Sequence, residues 1–231
     1  MNKCINFAAG VVIVATSFSA MAHDAGDLII RAGAVNVNPD EESSVLNVAD
    51  LGGDVPGTGV SVGSNTQLML TATYMVSSHF GVELLAATPF QHKVRAEGLD
   101  GLGIPSGSKL GSVTQLPPTL SALWYPMDAS SKFQPYIGVG LNYFLVLKDK
   151  LSDKDGVKSA LGASKLSVDN SVGLAARAGF DLELSEKLSL NAGVWYIDVD
   201  SDASLNSALG EVNVDVDIDP WVFGVGLGLK F

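Results

Sequence analysis

The last eleven residues, 221–231, constrain the fold of this chain more than any other segment. Their even positions are mostly glycine, and their odd positions are all large and apolar: Trp221, Phe223, Val225, Leu227, Leu229 and Phe231. A period of two is typical of a β-strand with one apolar face, and a tilted strand crosses a bilayer in about 9–11 residues. The pattern and the aromatic carboxyl terminus therefore predict the closing strand of an outer-membrane β-barrel.

Residues 1–22 have the composition of an export signal. Lys3 supplies a positive charge, residues 7–18 are mostly apolar, and residues 20–22 read Ala-Met-Ala, an A-x-A cleavage site. A retained membrane anchor is the weaker alternative, because the apolar run is short. We predict a cleaved signal peptide over 1–22 and one transmembrane barrel domain over 23–231. The single cysteine, Cys4, lies in this signal, so no disulfide is expected.

The charge of the chain is strongly acidic. Its formal net charge of −11 becomes −12 when Lys3 is removed with the signal. An acidic chain is a poor partner for nucleic acid, which we do not expect it to bind. No mature segment approaches 18 consecutive apolar residues, so spanning helices are not predicted. A membrane protein without such helices must close its backbone hydrogen bonds in a barrel.

The chain predicts an all-β fold, an eight-stranded antiparallel transmembrane barrel. The candidate strands are 26–37, 66–76, 80–93, 113–126, 133–147, 168–184, 187–200 and 212–231. The short connections are 77–79, 127–132 and 185–186, and the long polar ones are 38–65, 94–112, 148–167 and 201–211. Short periplasmic turns and long extracellular loops are typical of barrels in the outer membrane of Gram-negative bacteria. A soluble β-sandwich, the alternative, has no reason to sort its loops in this way.

The inward positions near the short turns are small or charged. The charged ones are Arg31, Glu83, Arg177 and Asp181. An eight-stranded barrel is just wide enough to be filled by its own side chains, and buried charges there must pair. We predict that these four residues form a polar plug in the lower lumen. An ion or proton path is the alternative role for them.

Towards the long loops, the apolar side chains change to the inward face. In 212–219 they occupy even positions, whereas the outward set of 221–231 is odd. The predicted channel-lining residues are Val35, Val37, Phe144, Val146, Trp195, Ile197, Val199, Val212, Val214, Val216 and Ile218. A β-bulge near Pro220, which would turn the valines towards lipid, is the alternative. An apolar funnel of this kind favours the binding of an apolar solute.

Prolines interrupt two neighbouring predicted strands at a similar height. Pro89 lies in the third strand, and Pro117 and Pro118 lie in the fourth. Proline donates no hydrogen bond to a strand ladder and is normally kept to edges or bulges. We predict a lateral opening at these prolines, through which an apolar solute leaves the lumen for lipid. A simple bulge or barrel corner is the alternative.

Seven ordered segments match a family pattern along the whole mature chain. They are 25–33, 65–68, 81–90, 115–120, 133–143, 194–198 and 217–222, and they resemble the OmpW family of outer-membrane proteins. The resemblance implies an eight-stranded barrel whose hydrophobic channel passes small apolar molecules by diffusion, with a lateral exit. Loops 38–64 and 148–167 are where relatives would differ, so the identity of the solute is not carried over.

The predicted function is therefore an outer-membrane channel for passive diffusion of small hydrophobic molecules. A structural or receptor-type barrel without transport is the alternative. The expected partners are outer-membrane lipid, small hydrophobic solutes and the barrel-assembly machinery, which would recognise the strand ending at Phe231.

Enzymatic chemistry is not predicted. The mature histidines are His23, His79 and His92, and the sequence has no G-x-S-x-G or HExxH motif. No cofactor or metal is expected, because the acidic run 213–219 has the spacing of no calcium loop.

Overall fold

The computed structural model describes residues 23–40, 42–48, 52–152, 158, 162–208 and 210–231, so the predicted signal lies outside it. Its β-strands in chain order are β1 Leu28–Asn38, β2 Glu42–Ser43, β3 Leu46–Val48, β4 Gly53–Val55, β5 Gly59–Val62, β6 Asn65–Met75, β7 Phe80–Ala87, β8 Phe90–Glu97, β9 Lys109–Leu116, β10 Thr119–Trp124, β11 Phe133–Leu151, β12 Lys165–Val168, β13 Ser171–Glu183, β14 Leu188–Ile197, β15 Asp200–Ser207, β16 Gly210–Asp217 and β17 Trp221–Lys230. One turn of 3-10 helix, Asp100–Leu102, lies between β8 and β9. Within these ranges, no helix is both long and apolar enough to span a membrane.

Eight of these strands close into an antiparallel barrel, which confirms the predicted fold class. Their order around the barrel is β1, β6, β7, β10, β11, β13, β14 and β17. The seam between first and last strand runs from Ile29 opposite Lys230 to Asn38 opposite Trp221. Closure leaves no unpaired sheet edge, as a lipid environment requires.

The outer face of the barrel is apolar and exposed. Along β17 the odd residues are exposed, whereas Val222 between Trp221 and Phe223 is buried. Exposed aromatic rings lie at two levels: Phe80, Trp124 and Phe133 near the short turns, and Tyr143, Tyr196 and Trp221 towards the opposite end. Two such levels are the aromatic belts expected at the two interfaces of a bilayer.

The long connections contain strands that the sequence did not reveal. One extracellular sheet has the order β12-β15-β16-β3-β4, with β2 paired to β16. A second is formed by the upper part of β11 with β9, β8 and β5. Four predicted strands are interrupted: 80–93 between β7 and β8, 113–126 between β9 and β10, 187–200 after Ile197, and 212–231 at residues 218–220. An apolar cluster lies between the two sheets, and it includes Leu46, Val60, Leu99, Ile104 and Val214.

Candidate functional site

A cavity of about 130 Å³ lies between the two extracellular sheets and the top of the barrel. The wall is mostly apolar. Of the predicted channel-lining residues, it contains Val37, Phe144, Ile197, Val199, Val212, Val214, Val216 and Ile218. Three others do not reach it: Val35, Val146 and Trp195 pack in or against the apolar cluster that also contains Val37 and Phe144. Sequence reasoning missed the contributions from β3, β5, β8 and β9, namely Leu46, Val48, Val60, Val62, Val94, Leu110 and Val113.

The chain keeps its inward and outward phase across Pro220. Val214 and Val216 are buried while Asp215 and Asp217 are exposed, and beyond the interruption Val222 is again buried. The valines therefore lie in the cavity wall and not against lipid.

Asp219 holds the interruption between β16 and β17 in place. Its φ of +32° is uncommon for a residue with a side chain. The carboxylate accepts hydrogen bonds from Tyr196 Oη at 2.9 Å and from the Val199 amide at 3.2 Å. Asp198, Asp200 and Asp219 have carboxylate oxygens within 4.8 Å of one another at the surface. We regard this group as part of a solvated acidic face.

Below the cavity, the four predicted plug residues come together. The Arg31 guanidinium meets both carboxylate oxygens of Asp181, with distances of 2.8 Å from Nε and 2.5 Å from Nη2. Arg31 Nη1 lies 3.1 Å from Glu83 Oε2, and Arg177 forms an ion pair with the other oxygen of Glu83. All four side chains are almost completely buried. Opposite charges therefore alternate in a compact network, as buried charges require.

Neutral residues complete this plug: Tyr125, Tyr136 and Asn191, which the sequence analysis did not single out, and Trp195, which it placed in the channel lining. Tyr136 Oη accepts hydrogen bonds from Arg177 Nη2 at 2.6 Å and from Asn191 Nδ2 at 3.0 Å. The Arg177 guanidinium also lies 4.3 Å from the centre of the Trp195 ring, a cation–π distance. Tyr125 receives a hydrogen bond of 3.2 Å from Arg31. These residues lie at inward-facing positions of the predicted strands, and this position was the sequence signal that could have identified them. The plug lies in the lower lumen, and Trp195, which packs in the apolar cluster with Val37 and Phe144, contacts it through Arg177.

The prolines mark a gap in the strand pairing of the barrel wall. β7 and β10 pair only up to Leu85 opposite Thr119, and β8 and β9 pair from Phe90 opposite Gln115 upward. Residues 86–89 therefore do not pair with residues 116–118. Pro117 lines the cavity, whereas Pro89 and Pro118 lie in the same gap but do not line it.

These features define an integral outer-membrane β-barrel protein: a closed barrel with an apolar exterior, two aromatic belts, a charged plug and an apolar cavity above it. The chain belongs to the OmpW family, whose model matches residues 24–231. It is therefore a protein of the Gram-negative outer membrane, embedded in the lipid bilayer.

Individual relatives agree with this assignment along the whole barrel. Outer membrane protein W of Escherichia coli strain K12 is 40% identical over 229 residues, which are 99% of this chain and 100% of the relative. The crystal structure of OprG from Pseudomonas aeruginosa is 43% identical with a TM-score of 0.83, and the match covers 91% of this chain and 98% of OprG. Outer membrane protein AlkL of Ectopseudomonas oleovorans is 27% identical over 90% of this chain and 84% of AlkL.

Proposed function

We propose that this protein is a channel for passive diffusion of small hydrophobic molecules, with a lateral exit into the bilayer. The observation that carries the proposal is the apolar cavity in the extracellular half, whose walls come from both extracellular sheets and the barrel top. A lining of Val, Leu, Ile and Phe excludes ions and sugars, because these would lose their hydration without compensation. The same lining stabilises an apolar solute by about 25 cal/mol for each Å² removed from water.

The plug directs the proposed route sideways. A solute that moved down the barrel would have to displace Arg177, Glu83 and their partners, which are buried and paired. Disrupting one buried ion pair costs about 3–5 kcal/mol. Residues 86–89 keep contacts with β6 and residues 116–118 with β11, but the two segments do not pair with each other. Pro117 in the second segment lines the cavity, so no ladder hydrogen bond between the segments must break for a solute to leave there. The wall is therefore the less costly exit.

The proposal is tested by uptake of naphthalene and of glucose into vesicles whose outer leaflet is lipopolysaccharide. We expect the protein to accelerate uptake of naphthalene only. Val214→Asp, which places a carboxylate in the cavity wall, should reduce this acceleration at least tenfold. The control is Asp215→Asn on the exposed face of the same strand, which should leave uptake unchanged. Acceleration of glucose alone would overturn the proposal.

The lateral exit has its own test. Pro89→Ala supplies a backbone N–H in the gap and should strengthen pairing between the two segments. We expect the variant to bind naphthalene in the cavity as before but to release it into lipid more slowly. Pro105→Ala, in the exposed connection between β8 and β9, is the matched control. An unchanged release rate for Pro89→Ala would rule out the exit at this place.

A further inference from the structure

Three polar side chains interrupt the apolar wall of the cavity beside the proline gap. His92 on β8, Gln115 on β9 and Asn142 on β11 all line it, and they are only 6%, 4% and 1% exposed. A buried polar atom without a hydrogen-bond partner costs stability, so such groups normally pair within the protein. Two of these side chains do not complete their pairing.

The orientation of the Asn142 amide is fixed by its neighbours. Its nitrogen donates to Thr119 Oγ1 at 2.8 Å and to the carbonyl oxygens of Pro117 at 3.3 Å and Pro118 at 3.5 Å. Carbonyl oxygens can only accept, so exchanging the amide nitrogen and oxygen would set oxygen against oxygen. Asn142 Oδ1 must therefore point away from the prolines, where it accepts no hydrogen bond from the described residues.

The orientation of the Gln115 amide is fixed in the same way, through the protonation of its neighbour His92. His92 Nδ1 lies 2.7 Å from the carbonyl oxygen of Gly63, so Nδ1 carries the proton and donates it. In the neutral ring Nε2 is then an acceptor, and it lies 3.4 Å from Gln115 Nε2, which donates to it. Burial lowers the pKa of His92, which favours this neutral ring. Gln115 Oε1 is consequently left as an acceptor with no donor among the described residues.

The two free acceptors lie at different heights on one wall. Gln115 pairs with Val146 of β11, and Asn142 lies four residues before Val146 on that strand. At about 3.3 Å per residue the separation along the strand is about 13 Å. The proline gap lies between these levels, with Gln115 above it and Asn142 contacting the proline carbonyls at its lower end.

We propose that the cavity accepts amphipathic solutes: an apolar body with one neutral hydrogen-bond donor, such as a primary alcohol. The donor would bind Gln115 Oε1 first and Asn142 Oδ1 next, as the solute moves to the gap. This inference rests on the proposed channel function and names its solute class. A carboxylate is disfavoured because it brings only acceptors, and an ammonium ion because the apolar walls do not repay its desolvation.

The test compares two isomers, 1-hexanol and 1-methoxypentane, which share size and formula but differ in having a donor. Their affinities are measured by displacement of a fluorescent naphthalene probe from the protein in lipid nanodiscs, with empty nanodiscs subtracted. We expect the alcohol to bind about five- to tenfold more tightly, the ratio that one added hydrogen bond supplies. Hexanoate at pH 8 should bind more weakly than both.

Two near-isosteric variants and one control test where the hydrogen-bond donor of the solute binds. Gln115→Met and Asn142→Leu each remove one acceptor, and the double variant should bind the two isomers within twofold of each other. Gln67→Met is the control, since Gln67 does not line the cavity, and it should keep the wild-type ratio. Equal affinities for both isomers in the wild-type protein would overturn the inference. A preference for the alcohol that persists in the double variant would overturn it too. Neither result would contradict the channel function. Failure of the naphthalene probe and both isomers to bind overturns the channel function itself.

Discussion

Replacement of Arg31 by methionine is the sharpest test of how the lower lumen is held together. The Arg31 side chain is 0% exposed and donates hydrogen bonds to Asp181, Glu83, Thr73 and Tyr125. Methionine keeps a similar length but has no charge and no donor. Among the residues that the structure describes, the change leaves the buried Asp181 carboxylate with a hydrogen bond from Asn191 Nδ2 at 2.9 Å.

The size of the effect follows from this loss. Removing one partner of a buried ion pair costs about 3–5 kcal/mol, because the other charge is left without compensation. The two bonds to Asp181 are charge-assisted, and each contributes about 1.5–3 kcal/mol. Both considerations place the loss for Arg31→Met at about 3–5 kcal/mol of unfolding free energy. Glu83 is affected less, since it keeps its ion pair with Arg177.

The assay is urea unfolding in lipid vesicles followed by tryptophan fluorescence, with band shifts on unheated gels as a second measure of folding. Arg95→Met is the matched control: Arg95 is exposed and its guanidinium donates to the Gly107 carbonyl at 2.7 Å. We expect the control to lose less than about 1 kcal/mol. The double variant Arg31→Met with Asp181→Asn should recover part of the loss. If Arg31→Met unfolds within about 1 kcal/mol of the parent, the plug does not depend on charge pairing and our reasoning about the lumen is wrong.

Two further predictions use the same unfolding assay. Gly224→Ala places a methyl carbon 2.9 Å from the Trp195 ring and from Met69 Sδ, so it should cost about 1–3 kcal/mol, whereas Gly63→Ala, with open space around it, should be nearly neutral. Burial lowers the pKa of His92 from its usual 6.5, so the unfolded chain binds this proton more readily and stability should fall as the pH drops below 6.5. His92→Gln should flatten that part of the pH profile, and an unchanged slope in this variant would contradict the assignment.

The barrel could be predicted from the sequence because its strands obey one local rule. Along β17 and β13 the exposed and buried residues alternate with period two, and lipid on one side enforces this over the full strand. The same parity brought Arg31, Glu83, Arg177 and Asp181 to one face at one height. Strand order then needed no further information, since neighbours in the chain are neighbours in the barrel, with β1 and β17 meeting at the seam.

The extracellular strands could not be predicted in this way. β3 and β4 have only three residues each, too short for an alternation to be recognised. β4 pairs with β3, and β3 pairs with β16, which lies more than 150 residues further along the chain, so that pairing has no local signature. The hydrogen-bonding groups at the proline gap were missed for a related reason. The sequence predicts no partner for His92, because its contact with Gln115 depends on the register between β8 and β9.

The boundary between the charged and the apolar lumen depends on the contrast in size between glycine and tryptophan. Arg177 and Trp195 are direct partners across β13 and β14, so their side chains enter the lumen side by side. The Trp195 ring covers the Arg177 guanidinium and lies against Gly224 of β17, where even a methyl group would contact it at 2.9 Å. A larger residue at 224 would therefore crowd the ring against the guanidinium or displace it. Gly224 of the closing strand is therefore small for a specific reason, because it provides the space in which the Trp195 ring packs against the Arg177 guanidinium.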